Sequence, residues 1–176
     1  MDLTDATVLV TGGGGLIGSH LAGRLAADNE VVAVDDFSKG DRDRIADDVR
    51  VVEADLTDES AVESVVTDEF DVVFHLAAIT DTNFDDDRVL FEQNTKMTHN
   101  VLEQVRTAGV DRFAFTSSST VYGEAPRPTP EDYAPLEPIS VYGSSKLADE
   151  GLISTYAHSY GVQSWVFRFA NIVGPY

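Results

Sequence analysis

The stretch TVLVTGGGGLIG, Thr7–Gly18, decides the fold. Five strand-forming residues lead into four consecutive glycines, and apolar residues then recur at helical spacing over Leu16–Ala27. Glycines between a strand and a helix let the backbone approach a pyrophosphate closely, and the first N–H groups of the helix can bind it. The spacing fits both the G-x-G-x-x-G and the G-x-x-G-x-x-G patterns, which share Gly15 and Gly18. The stretch therefore predicts a dinucleotide-binding turn rather than a plain tight turn.

Beyond this turn, short runs rich in valine and phenylalanine alternate with helical patterns. Strands are predicted at Thr7–Thr11, Glu30–Asp35, Val49–Glu53, Val72–Leu76, Arg112–Ser117 and Ser164–Phe169. Helices are predicted at Leu16–Ala27, Glu59–Val66, Val89–Ala108 and Val141–Tyr160. Consecutive apolar residues are typical of strands that are buried on both faces of a parallel sheet. We therefore expect an α/β fold, a Rossmann-type doubly wound parallel sheet with helices on both faces, formed by residues 1–176 as one domain.

The composition narrows the function. The chain has 31 acidic and 12 basic residues, and its net charge of −19 repels nucleic-acid backbones and anionic lipids. No apolar run approaches the roughly 20 residues of a membrane span. The absence of cysteine excludes a thiolate metal site and a cysteine nucleophile. We expect a cytoplasmic protein without nucleic-acid or membrane partners, and a halophilic surface adapted to high salt, with an ordinary acidic protein as the alternative.

An acidic residue ends the second predicted strand. Asp35 follows Gly15 by 20 residues. A carboxylate at this point accepts hydrogen bonds from the adenosine ribose and repels a 2′-phosphate, so it favours NAD over NADP. Asp36 can share this role, an acid that only caps the strand is the alternative, and Lys39 and Arg42 leave NADP as a minor option.

The fifth strand and the helix after it carry the catalytic candidates. A serine-rich run, TSSSTVYG, occupies Thr116–Gly123, and Y-G-S-S-K places Tyr142 and Lys146 on one face of a helix. A nearby ammonium lowers the pKa of a tyrosine from about 10 toward neutrality, as a general base requires. A serine hydroxyl can bind the same substrate oxygen. Y-x-x-x-K alone is usually a surface pair, but its position after a glycine turn and an acidic strand end favours catalysis.

Together these motifs resemble the extended short-chain dehydrogenase/reductases, in the branch of nucleotide-sugar epimerases and dehydratases. The resemblance runs from Val8 to Pro175 through VTGGGGLIGSHL, VDDFS, ADLTD, HLAA, NTKMTHNVLE, TSSSTVYG, YGSSKLADE and RFANIVGP. It implies NAD as cofactor, a nucleotide-sugar as substrate, with UDP-sugars favoured, and the homodimer common in the family. The family's smaller C-terminal substrate domain would begin where this chain ends. The resemblance therefore implies the N-terminal part of a longer enzyme, or a partner that supplies the rest.

The resemblance also implies roles for individual residues. Tyr142 would be the catalytic base and contact substrate and cofactor, while Lys146 would bind the nicotinamide ribose and tune the tyrosine. Ser118 would assist at the substrate, with Ser117 and Ser119 as close alternatives. The other implied cofactor contacts, followed by one that faces the nucleotide-sugar, are Gly12, Gly15, Leu16, Ile17, Gly18, Asp35, Asp36, Asp55, Leu56, Leu76, Ala77, Ala78, Asn94 and Ser117, and then Asn171.

The residues after the implied catalytic serine bear on the subclass. Dehydratases of the family resemble one another in an Asp-Glu pair at this point, whereas this chain has Ser119 and Thr120, which cannot supply the acid and base of an elimination. The serine-rich version is similar to 4-epimerases that act on UDP-hexoses or hexuronates through a 4-keto intermediate. We expect an NAD-dependent nucleotide-sugar 4-epimerase. The alternatives are a dehydratase, decarboxylase or reductase, or a catalytically silent NAD-binding module.

Several other residues are assigned no catalytic role. His75 is predicted to be a packed histidine, and the other three histidines lie on separate helices without metal spacing, so no metal site is expected. Asp85–Asp87 is predicted to be a solvated acidic run before a helix, where the helix dipole favours acids. Trp165 is predicted in the core, and Arg168 is predicted to be structural.

Overall fold

The computed structural model describes residues 3–80 and 86–174 and contains one six-stranded sheet in this part of the chain. The strands are β1 Thr7–Thr11, β2 Glu30–Asp35, β3 Arg50–Glu53, β4 Val72–His75, β5 Arg112–Ser118 and β6 Gln163–Phe169. They lie in the order β3-β2-β1-β4-β5-β6, and every pair is parallel. This order reverses its direction between β1 and β4, which is where doubly wound sheets bind ligands. The predicted Rossmann-type sheet is confirmed.

The four α-helices of the described residues are α1 Leu16–Leu25, α2 Glu59–Val65, α3 Asp87–Ala108 and α4 Val141–Tyr160. Two of their ends differ from the prediction by two residues. α1 ends early, where Asn29 Nδ2 donates to the Leu25 carbonyl at 2.9 Å. α3 begins early because the Asp86 carboxylate accepts from the N–H groups of Arg88 and Val89. A side-chain cap therefore sets each of these ends. Asp85, predicted in the same acidic run, lies outside the described residues.

Two hydrophobic clusters cover the two faces of the sheet. On one face, α2, α3 and α4 pack against the sheet around Leu9, Val34, Phe113 and Phe115. On the other face, α1 packs over the half of the sheet that contains β1 and β2, and Ala22 is fully buried there. Burial of apolar surface on both sides fixes the register of the central strands.

The two edge strands correct the prediction that all strands are buried on both faces. β3 and β6 contain no fully buried residue, whereas β1 and β2 are buried along most of their length. On β6, Val166 and Phe167 are 38% and 44% exposed. Trp165 was predicted in the core, but it is half-buried and belongs to neither hydrophobic cluster. Apolar composition predicts a strand but not its place in the sheet, and an edge strand has a neighbour on one side only.

His75 ends β4 and is fully buried, as predicted for a packed histidine. Its Nδ1 lies 2.7 Å from Thr11 Oγ1, and its Nε2 lies 3.3 Å from Thr98 Oγ1. Burial, together with the nearby Lys146 ammonium, lowers the pKa of His75 to about 3, so the ring is neutral. In residues 3–80 and 86–174 no cluster of three or more His, Asp or Glu could hold a metal ion.

The surface carries the strong negative charge of the sequence. The chain has 31 acidic and 12 basic residues. If every basic residue paired with one acid, 19 carboxylates would still have no basic partner, which equals the net charge of −19. No helix in the described ranges is long and apolar enough to cross a membrane. The folded surface therefore repels itself at low ionic strength.

We expect salt to stabilise the fold. Raising KCl from 0.1 M to 2 M shortens the Debye length from about 10 Å to less than about 3 Å and screens the repulsion among the surface carboxylates. The midpoint of thermal unfolding, followed by circular dichroism, should rise by more than about 5 °C, or on the order of 2 kcal/mol for a domain of this size. Sorbitol at matched osmolality is the control, because it adds no ions. A midpoint that stays constant or falls with KCl would contradict adaptation to salt.

Candidate cofactor and catalytic site

The glycine-rich turn joins β1 to α1 at the carboxyl end of the sheet, beside the point where the strand order reverses. Gly12 has a φ of 70°, in the left-handed region that favours glycine. A Cβ on Gly18 would lie 2.1 Å from the Gly12 carbonyl oxygen. The first turn of α1 therefore packs directly on the loop, and only glycine fits at position 18. Gly15 donates its N–H to the same Gly12 oxygen at 3.1 Å and begins the helix.

Asp35 ends β2 next to this turn, as predicted. Its Oδ2 accepts from the Gly14 N–H at 2.9 Å, and its Oδ1 accepts from the Phe37 N–H at 2.9 Å. The carboxylate therefore links the second strand to the glycine turn and fixes the loop that follows. Arg42, which left NADP as a minor option, forms a salt bridge with Glu53, with 2.9 Å between Nη2 and Oε2. Its guanidinium carbon lies 4.5 Å from the centre of the Phe37 ring.

The segment after β4 is held from both sides. Thr11 Oγ1 accepts from the N–H groups of Leu76 at 3.2 Å and Ala77 at 3.3 Å. On the other side, Asn94 Oδ1 accepts from the Ile79 N–H at 2.7 Å, and its Nδ2 donates to the Ile79 carbonyl at 3.1 Å. Asn94 is buried, and its two hydrogen bonds to Ile79 hold the segment after β4, which is predicted to lie at the nicotinamide end of the cofactor.

Two neighbouring serines at the end of β5, Ser117 and Ser118, have different hydrogen-bond partners. Ser117 is buried and donates to Glu150 Oε1 at 2.5 Å. Ser118 caps a short 3-10 helix, Ser119–Tyr122, and its Oγ accepts from Thr120 N at 3.2 Å and Thr120 Oγ1 at 2.9 Å. Because the Ser118 oxygen accepts both bonds, its own proton is left to donate to a ligand. The geometry supports Ser118 over Ser117 as the serine that assists at the substrate.

Tyr142 and Lys146 lie on the first turns of α4. A Cβ on Gly143 would lie 3.0 Å from the Thr120 carbonyl oxygen, so this end of α4 packs closely on the turn after β5. Lys146 is 2% exposed, and its Nζ donates to the Thr116 carbonyl at 3.0 Å. The same Nζ lies 5.9 Å from the centre of the Tyr142 ring. Helix α4 thus brings the tyrosine, the lysine and the serine-rich turn to one edge of the sheet.

The protonation of this pair differs from the expectation. We expected Lys146 to lower the pKa of Tyr142, but burial raises the pKa of Tyr142, and the nearby Asp149 carboxylate raises it further. Burial also lowers the pKa of Lys146, while Asp149 opposes this change. Lys146 Nζ lies 4.5 Å from the centre of the Phe115 ring and donates to the Thr116 main-chain carbonyl.

Four other predicted residues belong to the cofactor and sugar contacts that the resemblance implies. Asp36 and Asp55 are exposed, and each accepts from the backbone N–H two residues further along. Leu56 is 4% exposed, and its side chain packs in the core. Asn171 is exposed and follows β6, the edge strand. Their predicted contacts with adenine, ribose or sugar stay predictions.

The sequence reasoning missed two acids of α4. Glu150 binds the Arg168 guanidinium at 2.7 Å, which agrees with a structural Arg168 and ties β6 to α4. Asp149 is 1% exposed, and neither of its carboxylate oxygens has a hydrogen-bond partner. The signal was present, since both acids follow Lys146 at the i+3 and i+4 spacing of one helix face.

The turn fits a dinucleotide. α1 has no side-chain cap at Gly15, so the N–H groups of Leu16, Ile17 and Gly18 have no helical acceptor and carry the positive end of the helix dipole. The absence of a side chain at Gly18 lets α1 pack closely on the turn, as the third glycine of a dinucleotide-binding turn does. These backbone donors can hold phosphates without lysine or arginine, so the negative surface charge does not prevent the turn from binding a dinucleotide.

Comparison with known proteins identifies the family of the chain. Residues 8–176 match the NAD dependent epimerase/dehydratase family. The chain is 32% identical over 171 residues to a putative UDP-glucose 4-epimerase from Methanocaldococcus jannaschii, covering 95% of this chain and 56% of that protein. It is 35% identical over 181 residues to dTDP-glucose 4,6-dehydratase from Mycolicibacterium smegmatis, covering 96% and 54%. The chain therefore spans about half the length of these curated relatives.

Solved structures show the same fold. A UDP-galactose 4-epimerase superposes with a TM-score of 0.90 at 43% identity, over 96% of this chain and 57% of that one. The UDP-glucose 4-epimerase of Thermus thermophilus, solved in complex with NAD, superposes with a TM-score of 0.89 at 36% identity, over 96% and 56%. Together with the glycine turn, these matches establish NAD as the cofactor. The chain belongs to the NAD-dependent epimerase/dehydratase family.

Proposed function

We propose that this chain is the NAD-binding half of a nucleotide-sugar 4-epimerase that acts on a UDP-hexose or hexuronate. The observation that carries the proposal is the convergence of Ser118, Tyr142 and Lys146 at the carboxyl end of β5, next to the turn that fits NAD. Relatives and solved structures named as UDP-sugar 4-epimerases support the substrate class.

The turn after Ser118 favours an epimerase over a dehydratase. Ser119 and Thr120 are exposed hydroxyl residues, and Thr120 Oγ1 donates to Ser118 Oγ at 2.9 Å. An elimination of water needs an acid and a base close to the sugar, and serine and threonine hydroxyl groups cannot supply them. The lack of an acidic residue at Ser119 and Thr120 therefore favours an epimerase, although a dehydratase relative has a similar identity to the chain.

When bound at the glycine turn, NAD would supply the hydride acceptor and donor that interconversion of the sugar at C4 through a 4-keto form requires. Tyr142 takes the proton of the 4-hydroxyl group and later gives it back. Ser118 donates a hydrogen bond to the same oxygen, because its own oxygen already accepts two bonds from Thr120. Lys146 binds the nicotinamide ribose and keeps a positive charge near the phenol. The sugar is exchanged between its two 4-epimers with no net oxidation.

The test is turnover in the presence of NAD. The 176-residue chain, and a version continued through its downstream coding sequence, are incubated with NAD and with UDP-glucose, UDP-galactose, UDP-N-acetylglucosamine, UDP-glucuronate and dTDP-glucose. Products are separated by chromatography and identified by NMR. We expect conversion of at least one UDP-sugar to its 4-epimer. A 4-keto-6-deoxy product would indicate a dehydratase, and no turnover by the continued form with NAD still bound would contradict an enzyme.

Replacing Asp35 by alanine should weaken NAD binding by about 10-fold or more, since a charge-assisted hydrogen bond contributes about 1.5–3 kcal/mol. The change also removes two acceptors for the Gly14 and Phe37 N–H groups. Discrimination against NADP should fall, because the repulsion of a 2′-phosphate is lost. Calorimetric titration with NAD and NADP measures both effects. The control is Asp48→Asn, an exposed acid before β3 that removes the same charge. Equal NAD affinity in the two variants would exclude Asp35 from the ribose site.

A further inference from the structure

Asp149 is a buried carboxylate that the proposed reaction does not use. It lies on α4, the helix that carries Tyr142 and Lys146. Asp149 is 1% exposed, and neither Oδ1 nor Oδ2 has a hydrogen-bond partner. Burying a carboxylate without hydrogen bonds is strongly unfavourable unless a positive charge compensates it. Burial accordingly raises the pKa of Asp149 above its usual range, while the positive charge of Lys146 opposes the rise. Helix α4 therefore buries a carboxylate whose charged form is destabilised by its surroundings.

Lys146 is the group that can compensate Asp149. It precedes Asp149 by three residues on the same face of α4, and it is itself 2% exposed. Its Nζ uses one donor on the Thr116 carbonyl at 3.0 Å and lies over the Phe115 ring. A carbonyl and an aromatic face attract an ammonium, but neither neutralises its charge. The two buried groups therefore depend on each other for charge balance.

The other groups around this pair do not provide a second negative charge. His75 on β4 is neutral, because its pKa is lowered to about 3. Tyr142 on α4 is a neutral phenol, since burial raises its pKa above the ordinary value. Helix α3 contributes Thr98 and Asn94, which are uncharged, and β5 contributes a main-chain carbonyl. Among these facing groups, the negative charge is that of Asp149.

We propose that Asp149 is a positioning residue that keeps Lys146 in its ammonium form inside the protein. The proposal rests on the proposed function in one respect, namely that the reaction needs a charged Lys146 near Tyr142. Without the carboxylate, burial favours the neutral amine. A neutral Lys146 cannot stabilise a phenolate, so the base would lose its partner at neutral pH.

The test is a direct titration of Lys146. The chain contains three lysines, Lys39, Lys96 and Lys146, so a chain labelled with lysine that carries ¹³C at Cε gives three signals. Lys39 and Lys96 are exposed and serve as references in the same spectrum, and Lys146→Arg identifies the remaining signal. We expect the pKa of Lys146 to fall by at least about one pH unit in Asp149→Asn, because an opposite charge nearby shifts a pKa by about 1–3 units.

Controls make the result specific. Asp68→Asn, an exposed acid between α2 and β4, removes the same charge and should leave the pKa of Lys146 in place. Asp149→Ala serves if the asparagine variant does not fold, and it should show the same fall. An unchanged pKa of Lys146 in a folded Asp149 variant would overturn the proposal. Since the titration uses no sugar, a failure of the epimerase proposal would not alter its outcome.

Discussion

Replacing Gly18 by alanine should weaken NAD binding by at least about 100-fold, or roughly 2.7 kcal/mol. The added Cβ would lie 2.1 Å from the Gly12 carbonyl oxygen and 3.0 Å from the Gly13 Cα. Both contacts are with backbone, which cannot rotate away as a side chain can. Relief of the clash must move α1 from the turn and displace the N–H groups proposed to bind the pyrophosphate. Overpacking should also cost about 1–3 kcal/mol of folding free energy. Calorimetric titration with NAD and thermal unfolding measure the two effects.

The matched control is Gly151→Ala, the same substitution in α4. A Cβ on Gly151 would meet no atom within 4 Å, and the residue is exposed in a helix interior. Alanine there should stabilise the protein by roughly 0.5–1 kcal/mol and leave NAD affinity unchanged. If Gly18→Ala bound NAD as tightly as the unmodified chain, the turn would not be the pyrophosphate site.

Local patterns in the sequence were sufficient for most of the fold. Helix α4 begins at Val141 and ends at Tyr160 as predicted, because its helical spacing and its Ser140 cap are both local features. The strand–glycine–helix unit at Thr7–Gly18 was predicted for the same reason, since the contact that requires glycine at position 18 is with the turn itself. Right-handed crossovers limit the possible topologies, whereas the order β3-β2-β1-β4-β5-β6 is an observation of the structure.

Features that depend on distant neighbours were not predictable. The exposure of Phe167 on β6 reflects the position of that strand at an edge, which its composition does not encode. The hydrogen bond of Ser117 is with Glu150, 33 residues further along the chain, which the local sequence does not indicate. The direction of the pKa shift of Tyr142 depends first on burial, which tertiary packing determines, and then on Asp149, seven residues further along the same helix. Motifs therefore identify the residue types of a site, whereas packing determines their chemistry.

Replacing Tyr142 by phenylalanine should reduce kcat for UDP-sugar epimerisation by about 1,000-fold, the range expected for the loss of a general base. The substitution removes the hydroxyl oxygen that would take the proton and retains the ring beside Lys146. NAD affinity should change by less than about three-fold, because the proposed pyrophosphate donors are backbone groups of α1 that this substitution does not alter. The measurement combines turnover by the form continued through its downstream coding sequence with calorimetric titration of NAD.

Tyr160→Phe is the control for this loss, because it removes the same atom from the far end of the same helix, where the residue is 56% exposed. It should retain full turnover. The pH dependence adds a second criterion. Burial raises the pKa of Tyr142, so if the phenolate is the active form, kcat should increase with pH toward an apparent pKa set by the bound state. Residual turnover by Tyr142→Phe should lack this rise. If Tyr142→Phe retained both full turnover and the same pH profile, the proton would have to pass to another group.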